Sequence, residues 1–315
     1  MTDNTPRTTP RSPQVFTPAL TPFNADLTVN STAFIHFCRW LVSQGAGLAV
    51  FGTNSEANSL GLEEKITLLE QLVDAGIPAN RVIPGTGLCA LPETISLTRA
   101  AVALGCAGTL TLPPFYFKPA SDDGLFAYYA NIIESVGSDR LKLYLYHIPQ
   151  FTGVPISCDL IARLIKSYPR TVVGIKDSSG NWENTERMLR EFPGFEVYPA
   201  SEALLEKALP LGAAGCISAT ANVQPQLIDR ALKAWGTPEF DAMQAQLKAV
   251  RNIFQSQPMI PALKHVVAKA FGDKEWEHVR PPLTPANPSW ADGMMAQLRD
   301  IGFDMGVKGM EGMQR

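Results

Sequence analysis

Leu141-Lys142-Leu143-Tyr144-Leu145-Tyr146-His147-Ile148-Pro149, followed beyond a helix-like segment over 158–167 by Thr171-Val172-Val173-Gly174-Ile175-Lys176-Asp177-Ser178-Ser179-Gly180, reads as strand, helix, strand. Each quoted stretch is an apolar or β-branched run that stops at turn-forming residues. Short runs bounded by Gly, Pro and Asn suit strands buried on both faces, and an intervening helix returns the chain for parallel pairing. The rhythm continues in both directions. Comparable runs lie at 15–20, 47–51, 81–84, 108–112, 195–198 and 214–217, with helix-like stretches such as 63–75, 93–104, 124–136 and 182–192 between them. Eight strand candidates with helices between them predict an α/β fold, a parallel (β/α)8 TIM barrel. The same local units also build a doubly wound open sheet, the alternative architecture. Beyond the eighth run, 224–235, 240–255, 259–270 and 290–301 read as helices. The chain thus divides into a disordered tail over 1–13, a barrel over 14–223 and a C-terminal helical segment over 224–315. The last residues, 305–315, are Gly- and Met-rich and read as frayed.

The 315 residues include 27 basic and 30 acidic side chains, a formal charge of −3, and 45% hydrophobic residues. Near-neutral charge argues against a dedicated nucleic-acid binder, which shows a basic stripe. No apolar run reaches the ~18 residues of a membrane span, and residues 1–13 lack the apolar stretch of a signal peptide. A soluble, cytoplasmic chain is expected, long enough to bury a core without staples. Cys38, Cys89, Cys106, Cys158 and Cys216 are odd in number and show no C-x-x-C spacing, and the histidines form no H-x-x-x-H pair. Neither a disulfide framework nor a metal site is expected.

Four motifs carry candidate chemistry. Gly85-Thr86-Gly87-Leu88-Cys89-Ala90 fits G-x-G-x-x-A after a strand, but a dinucleotide site also needs an acid ending the next strand. The next strand, 108–112, and the prolines after it carry none, so a Gly-rich strand-to-helix turn is the better account and no cofactor is expected. Lys176 follows the apolar run 171–175 and precedes a turn. The carboxyl ends of barrel strands carry the chemistry, and a lysine held there among apolar groups supplies an amine for Schiff-base formation. The plain alternative is a loop ion pair with Asp177. Tyr146 ends the preceding strand and neighbours Lys176, where a phenol can move protons for an imine-forming lysine. His147 falls on the opposite face by alternation and reads as structural. Finally, Gly52-Thr53-Asn54-Ser55-Glu56 gathers hydroxyls, an amide and backbone N–H groups in one turn, which suits a carboxylate. A plain turn accounts for the same residues.

Taken in order, these motifs resemble the dihydrodipicolinate synthase / N-acetylneuraminate lyase family of pyruvate-dependent class I aldolases. The resemblance runs from about Gln14 to at least Pro225. Its further anchors are Thr17-Pro18-Ala19-Leu20-Thr21-Pro22-Phe23, Pro114-Phe115-Tyr116-Phe117-Lys118-Pro119 and Gly215-Cys216-Ile217-Ser218. It implies a (β/α)8 barrel with C-terminal helices, an imine between Lys176 and pyruvate or another 2-oxo acid, and Tyr146 as proton shuttle linked to Thr53. It implies that Tyr116 completes the relay from a neighbouring subunit, in a homotetramer built as a dimer of dimers. Thr53 and Asn54 would hold the substrate carboxylate, and Ile217 would pack against the bound 2-oxo acid.

Two departures bear on the substrate. Asn54 and Ser55 replace the second Thr and second Gly of the usual G-T-T-G-E or G-S-T-G-E turn. Five residues after Tyr146, where the synthases place an arginine for the carboxylate of aspartate semialdehyde, this chain has Phe151. An apolar ring cannot replace a bidentate guanidinium, a loss of about 2 kcal/mol or more. The expected activity is therefore an aldolase or lyase acting on a 2-oxo-3-deoxy sugar acid or a 4-hydroxy-2-oxoglutarate type substrate. The alternatives are the synthase itself and a non-catalytic 2-oxo-acid sensor. Ser178, Ser179, Ser201 and Asn222 are the loop side chains expected near the aldehyde half.

Overall fold

A computed structural model describes residues 12–307. The tail expected over 1–13 and the frayed end over 305–315 therefore fall largely outside the described residues. The strands are β1 (Gln14–Thr17), β2 (Gly47–Leu48), β3 (Thr109–Thr111), β4 (Leu143–His147), β5 (Val172–Asp177), β6 (Glu196–Pro199) and β7 (Gly215–Ile217). All pairings among them are parallel, in the orders β2-β1-β7 and β3-β4-β5-β6. Backbone hydrogen bonds join the two sets into one ring. Ala214 N donates to Val197 O at 3.0 Å, linking β7 to β6. On the other side, Ile83 N donates to Leu48 O at 2.8 Å and Leu110 N donates to Pro84 O at 2.8 Å. Closure excludes the open doubly wound sheet and establishes the (β/α)8 barrel.

The stave at 82–85 is less regular than its sequence predicts. It pairs through the isolated parallel bridges Leu48↔Val82 and Gly85↔Leu110 instead of a continuous ladder. Pro84 has no N–H to give to a ladder, and the backbones crowd at Gly85, where a Cβ would fall 2.0 Å from Phe51 O. Phe51 itself takes a positive φ of 60°, so β2 stops short of the expected 47–51.

Alternation along β4 sorts its side chains between two interiors. Leu143 and Leu145 face outward and pack with Val172 and Ile175 of β5 and with Leu160, Ile161 and Leu164 of the covering helix Cys158–Ser167. Ser157 caps that helix by accepting from Leu160 N at 3.0 Å. Tyr144 and Tyr146 face inward with Phe16, Leu110, Tyr198 and Ile217. Below the site, Tyr144 and Tyr198 both donate to Glu196 Oε2, at 2.8 and 3.2 Å, which satisfies the buried phenols.

Beyond β7 the helices are Pro225–Lys233, Pro238–Gln255, Met259–Phe271 and Pro288–Asp300, close to the expected bounds. Met259–Phe271 is buried along most of its length and packs with Phe34 and Phe37 of the helix Ser31–Ser43. Among the described residues no helix is long and apolar enough to cross a membrane.

Candidate active site

Parallel pairing of β4 and β5 sets Tyr146 beside Lys176 in register. Both side chains point into the carboxyl end of the barrel, and each residue is only 2% exposed. Lys176 Nζ donates to Tyr146 OH at 3.2 Å and lies 4.4 Å from the ring centroid. The phenol oxygen is 2.9 Å from Thr53 Oγ1, which completes a continuous chain of three polar groups.

Among the described residues no carboxylate pairs with Lys176. Asp177 faces the other way, as the period of a strand requires. Its carboxylate accepts from Thr185 Oγ1 at 2.6 Å, Asn184 Nδ2 at 3.2 Å and Ser179 N at 3.0 Å, and lies 3.3 Å from His147 Nδ1. Burial pushes the Asp177 carboxyl up, but hydrogen bonds from His147, Thr185 and Ser179 outweigh it and hold the group below its ordinary value. The loop ion pair between Lys176 and Asp177 is thus excluded, and His147 takes the structural role that alternation assigns it.

Thr53 stands where it does because the turn after β2 is tied down from behind. Thr53–Ser55 forms a single 3-10 turn opened by Gly52. Ser55, the departure from the usual glycine, is buried; its Oγ accepts from Gly52 N at 3.3 Å and its carbonyl accepts from Thr21 Oγ1 at 2.7 Å. Glu56 then adopts a left-handed φ of 56° and aims its carboxylate away from the cavity, into an ion pair with Lys264 and onto Arg280 N at 3.1 Å. Arg280 continues as a fork onto Glu64, at 2.6 and 2.8 Å.

The chain of polar groups opens into a cavity of about 430 Å³. Thr53, Asn54, Tyr146, Phe151, Lys176 and Ile217 all line it. Phe151 is 70% exposed and sits at the rim, while Ile217 is fully buried. Tyr116 is the exception. It is 75% exposed and packs edge-on against Phe117 at 5.3 Å, outside the cavity lining.

Of the loop side chains expected near the aldehyde half, Ser178 lines the cavity and the others do not. Ser201 caps the turn at Ala203 N, and Ser179 accepts from Asn181 N. Asn222 is buried as a clip, accepting from Leu20 N at 3.1 Å and donating to Pro18 O at 3.1 Å and Ala219 O at 2.8 Å. Gln150 and Arg251 are among the lining residues that carried no local sequence signal. Gln150 donates to Ser178 O at 2.6 Å, and Arg251 enters from the helix Pro238–Gln255. Among the described residues no group of His, Cys, Asp and Glu converges as a metal cage. The Gly85–Ala90 segment is a packed turn, since a Cβ at Gly87 would meet Leu112 N at 2.3 Å.

The family model of the dihydrodipicolinate synthetases matches residues 11–301. The chain is 37% identical over 248 residues to an uncharacterized DapA-like lyase of Chloroflexus aurantiacus, covering 78% of this chain and 82% of that one. Its structure superposes on the dihydrodipicolinate synthase of Agrobacterium tumefaciens with a TM-score of 0.84 at 30% identity, over 91% of this chain and 99% of that one. A TM-score of 0.84 at 26% identity, over 93% and 99%, relates it to YagE of Escherichia coli, solved in complex with pyruvate. Sequence, closed barrel and strand-end lysine agree: the chain belongs to the dihydrodipicolinate synthetase family and is a lyase.

Proposed function

We propose that this lyase is a Schiff-base-forming aldolase that makes or breaks a C–C bond between pyruvate and an aldehyde. The observation that carries the reading is the buried chain Lys176–Tyr146–Thr53 opening on a cavity, with no carboxylate among the described residues spent on the lysine. In the cleavage direction the Lys176 amine attacks C2 of the 2-oxo acid. The carbinolamine loses its hydroxyl as water with a proton delivered by Tyr146, leaving an iminium. The iminium draws in the electron pair of the C3–C4 bond as that bond breaks, while the Tyr146 phenolate takes the proton of the C4 hydroxyl and the C4 fragment leaves as an aldehyde. The resulting enamine takes a proton at C3, and water releases pyruvate and the free lysine. Thr53 and Asn54 receive the carboxylate at C1, and Ile217 and Phe151 supply apolar walls. The pyruvate bound in the YagE structure supports the 2-oxo acid half.

The substrate of this reading is a 2-oxo-3-deoxy sugar acid or a 4-hydroxy-2-oxoglutarate type acid. Relatives named as 4-hydroxy-tetrahydrodipicolinate synthases favour a second reading, condensation with aspartate semialdehyde. Phe151 at the rim weighs against it, since no guanidinium stands at that position. High turnover with pyruvate and aspartate semialdehyde would reverse this preference. The barrel over 14–223 carries the reaction, and the C-terminal helices from Pro225 to Asp300 cover it. The enzyme works in the cytoplasm as a homotetramer in which Tyr116 reaches a neighbouring site.

Incubation with pyruvate and borohydride is the direct test. The expected result is one reduced pyruvyl adduct, mapped to Lys176 by peptide mass spectrometry. A chain that gains no adduct, or gains it elsewhere, sinks the imine mechanism.

A further inference from the structure

Lys176 is not the sole cation lining the cavity. Arg251 reaches it from the helix Pro238–Gln255, with a side chain only 13% exposed. Its Nη1 donates to Ser218 Oγ at 3.1 Å and its Nε donates to Gln255 Oε1 at 3.4 Å. Among the described residues, no hydrogen bond engages Nη2. The carboxylate beside it, Glu202 Oε2, forms a long ion pair at 3.8 Å from Nη1, beyond hydrogen-bond reach. Glu202 is fully buried and already served by Ser218, Thr220 and Gln224, the last at 2.8 Å. Among the described residues no Asp or Glu lines the cavity.

Among the described residues two basic side chains and no acid therefore face one cavity, and the chemistry at Lys176 uses only one of them. The iminium and the Thr53 turn answer the C1 carboxylate of the 2-oxo acid. The buried ion-pair partner of Arg251, Glu202, is already engaged by Ser218, Thr220 and Gln224, so a guanidinium clamped in place with a free N–H donor is a preorganised fork for a second carboxylate. We infer that Arg251 binds a carboxylate at the far end of the aldehyde half, so that the substrate is a diacid. This deepens the aldolase reading and rests on it. Arg251 is a specificity residue for the aldehyde half and takes no part in imine formation.

Two matched substrate pairs test the inference on the full chain. One pair is 4-hydroxy-2-oxoglutarate and the five-carbon 2-oxo-3-deoxy acid that ends in a hydroxymethyl group. The other is a six-carbon 2-oxo-3-deoxy aldaric acid and its hydroxymethyl-ended counterpart. The wild-type enzyme should prefer the diacid by about tenfold or more in kcat/KM in at least one pair, mostly through KM. Arg251→Gln should bring that ratio close to one while still forming the pyruvate–borohydride adduct at Lys176. Arg251→Lys keeps the charge without the fork and should fall between. A wild-type ratio near one in both pairs, or a ratio unchanged in Arg251→Gln, overturns the inference while the adduct upholds the imine. If Arg251→Gln loses its cooperative melt, the ratio in Arg251→Lys decides, and an unchanged value overturns the inference. Absence of the adduct in the wild type removes the parent reading and this one together.

Discussion

Tyr146 links two groups that never approach each other in sequence, with its hydroxyl 3.2 Å from Lys176 Nζ and 2.9 Å from Thr53 Oγ1. Its ring is buried in the barrel interior, so Tyr146→Phe keeps the packing and removes only the relay. The adduct with pyruvate should still form, and turnover should fall about 10²-fold or more. Single-turnover trapping beside a steady-state assay separates the two, and unchanged turnover would remove Tyr146 from the relay. The pair Tyr146 and Lys176 was legible in the sequence. Each ends an apolar run, and the period-2 alternation of strands puts them on one face and His147 and Asp177 on the other. Ser201 and Asn222 were not legible. A hydroxyl or amide in a loop looks the same in sequence whether it faces a cavity or caps a turn, and here both serve the backbone.

At the scale of elements, the helix Leu62–Asp74 buries Lys65 on its inner face. Burial lowers the Lys65 ammonium from 10.5 to about 8, against the pull of Glu93 and Glu64. The folded value lies below the unfolded one, so the unfolded chain binds the extra proton between them. The resulting penalty on the fold is fully present below about pH 8 and is relieved as pH rises towards 10.5. Lys65→Met should therefore raise stability at pH 7, by up to about 3 kcal/mol, and flatten the rise between those limits. Denaturant titrations of both proteins at pH 7 and 10 check this, and parallel curves would refute it. The strand pattern was legible for the same reason as the tyrosine. It overstated the stave at 82–85, because β-branched composition does not reveal that Pro84 lacks a donor and Gly85 is pressed against Phe51.

Across the whole molecule, the C-terminal helices help build the site and do more than cover it. Lys264 and Arg280 clamp the Glu56 carboxylate and stack on the Phe23 ring, at 4.4 and 4.7 Å, so the turn bearing Thr53 is held from the far end of the chain. Lys264→Met leaves the Glu56 charge buried without its ion-pair partner and should cost roughly 3–5 kcal/mol of stability by denaturant unfolding. A loss below about 1 kcal/mol would show that the clamp contributes little. On the outer surface Tyr116 and Phe117 are 75% and 82% exposed, an aromatic pair on one loop that fits burial against a second copy. Light scattering should give a tetramer, and Tyr116→Phe should lower turnover while leaving the adduct intact. A monomer with full turnover would remove the proposed role of Tyr116.

The order of short buried runs and amphipathic helices was enough to predict alternating parallel β/α units, as a barrel or an open sheet, and it put Lys176 and Tyr146 at strand ends. That much follows from local periodicity, which a linear chain displays directly, whereas the family and the proposed imine chemistry were legible through the resemblance carried by the motifs. Ring closure through an irregular stave, the fixing of Thr53 by Lys264 and Arg280, and the entry of Arg251 into the cavity were decided by tertiary structure. They depend on which helix faces packed against which strand ends, a result of burying the whole apolar surface at once. The half of the site proposed to react is therefore written along the chain, and the half proposed to face the aldehyde exists only once the C-terminal helices have docked.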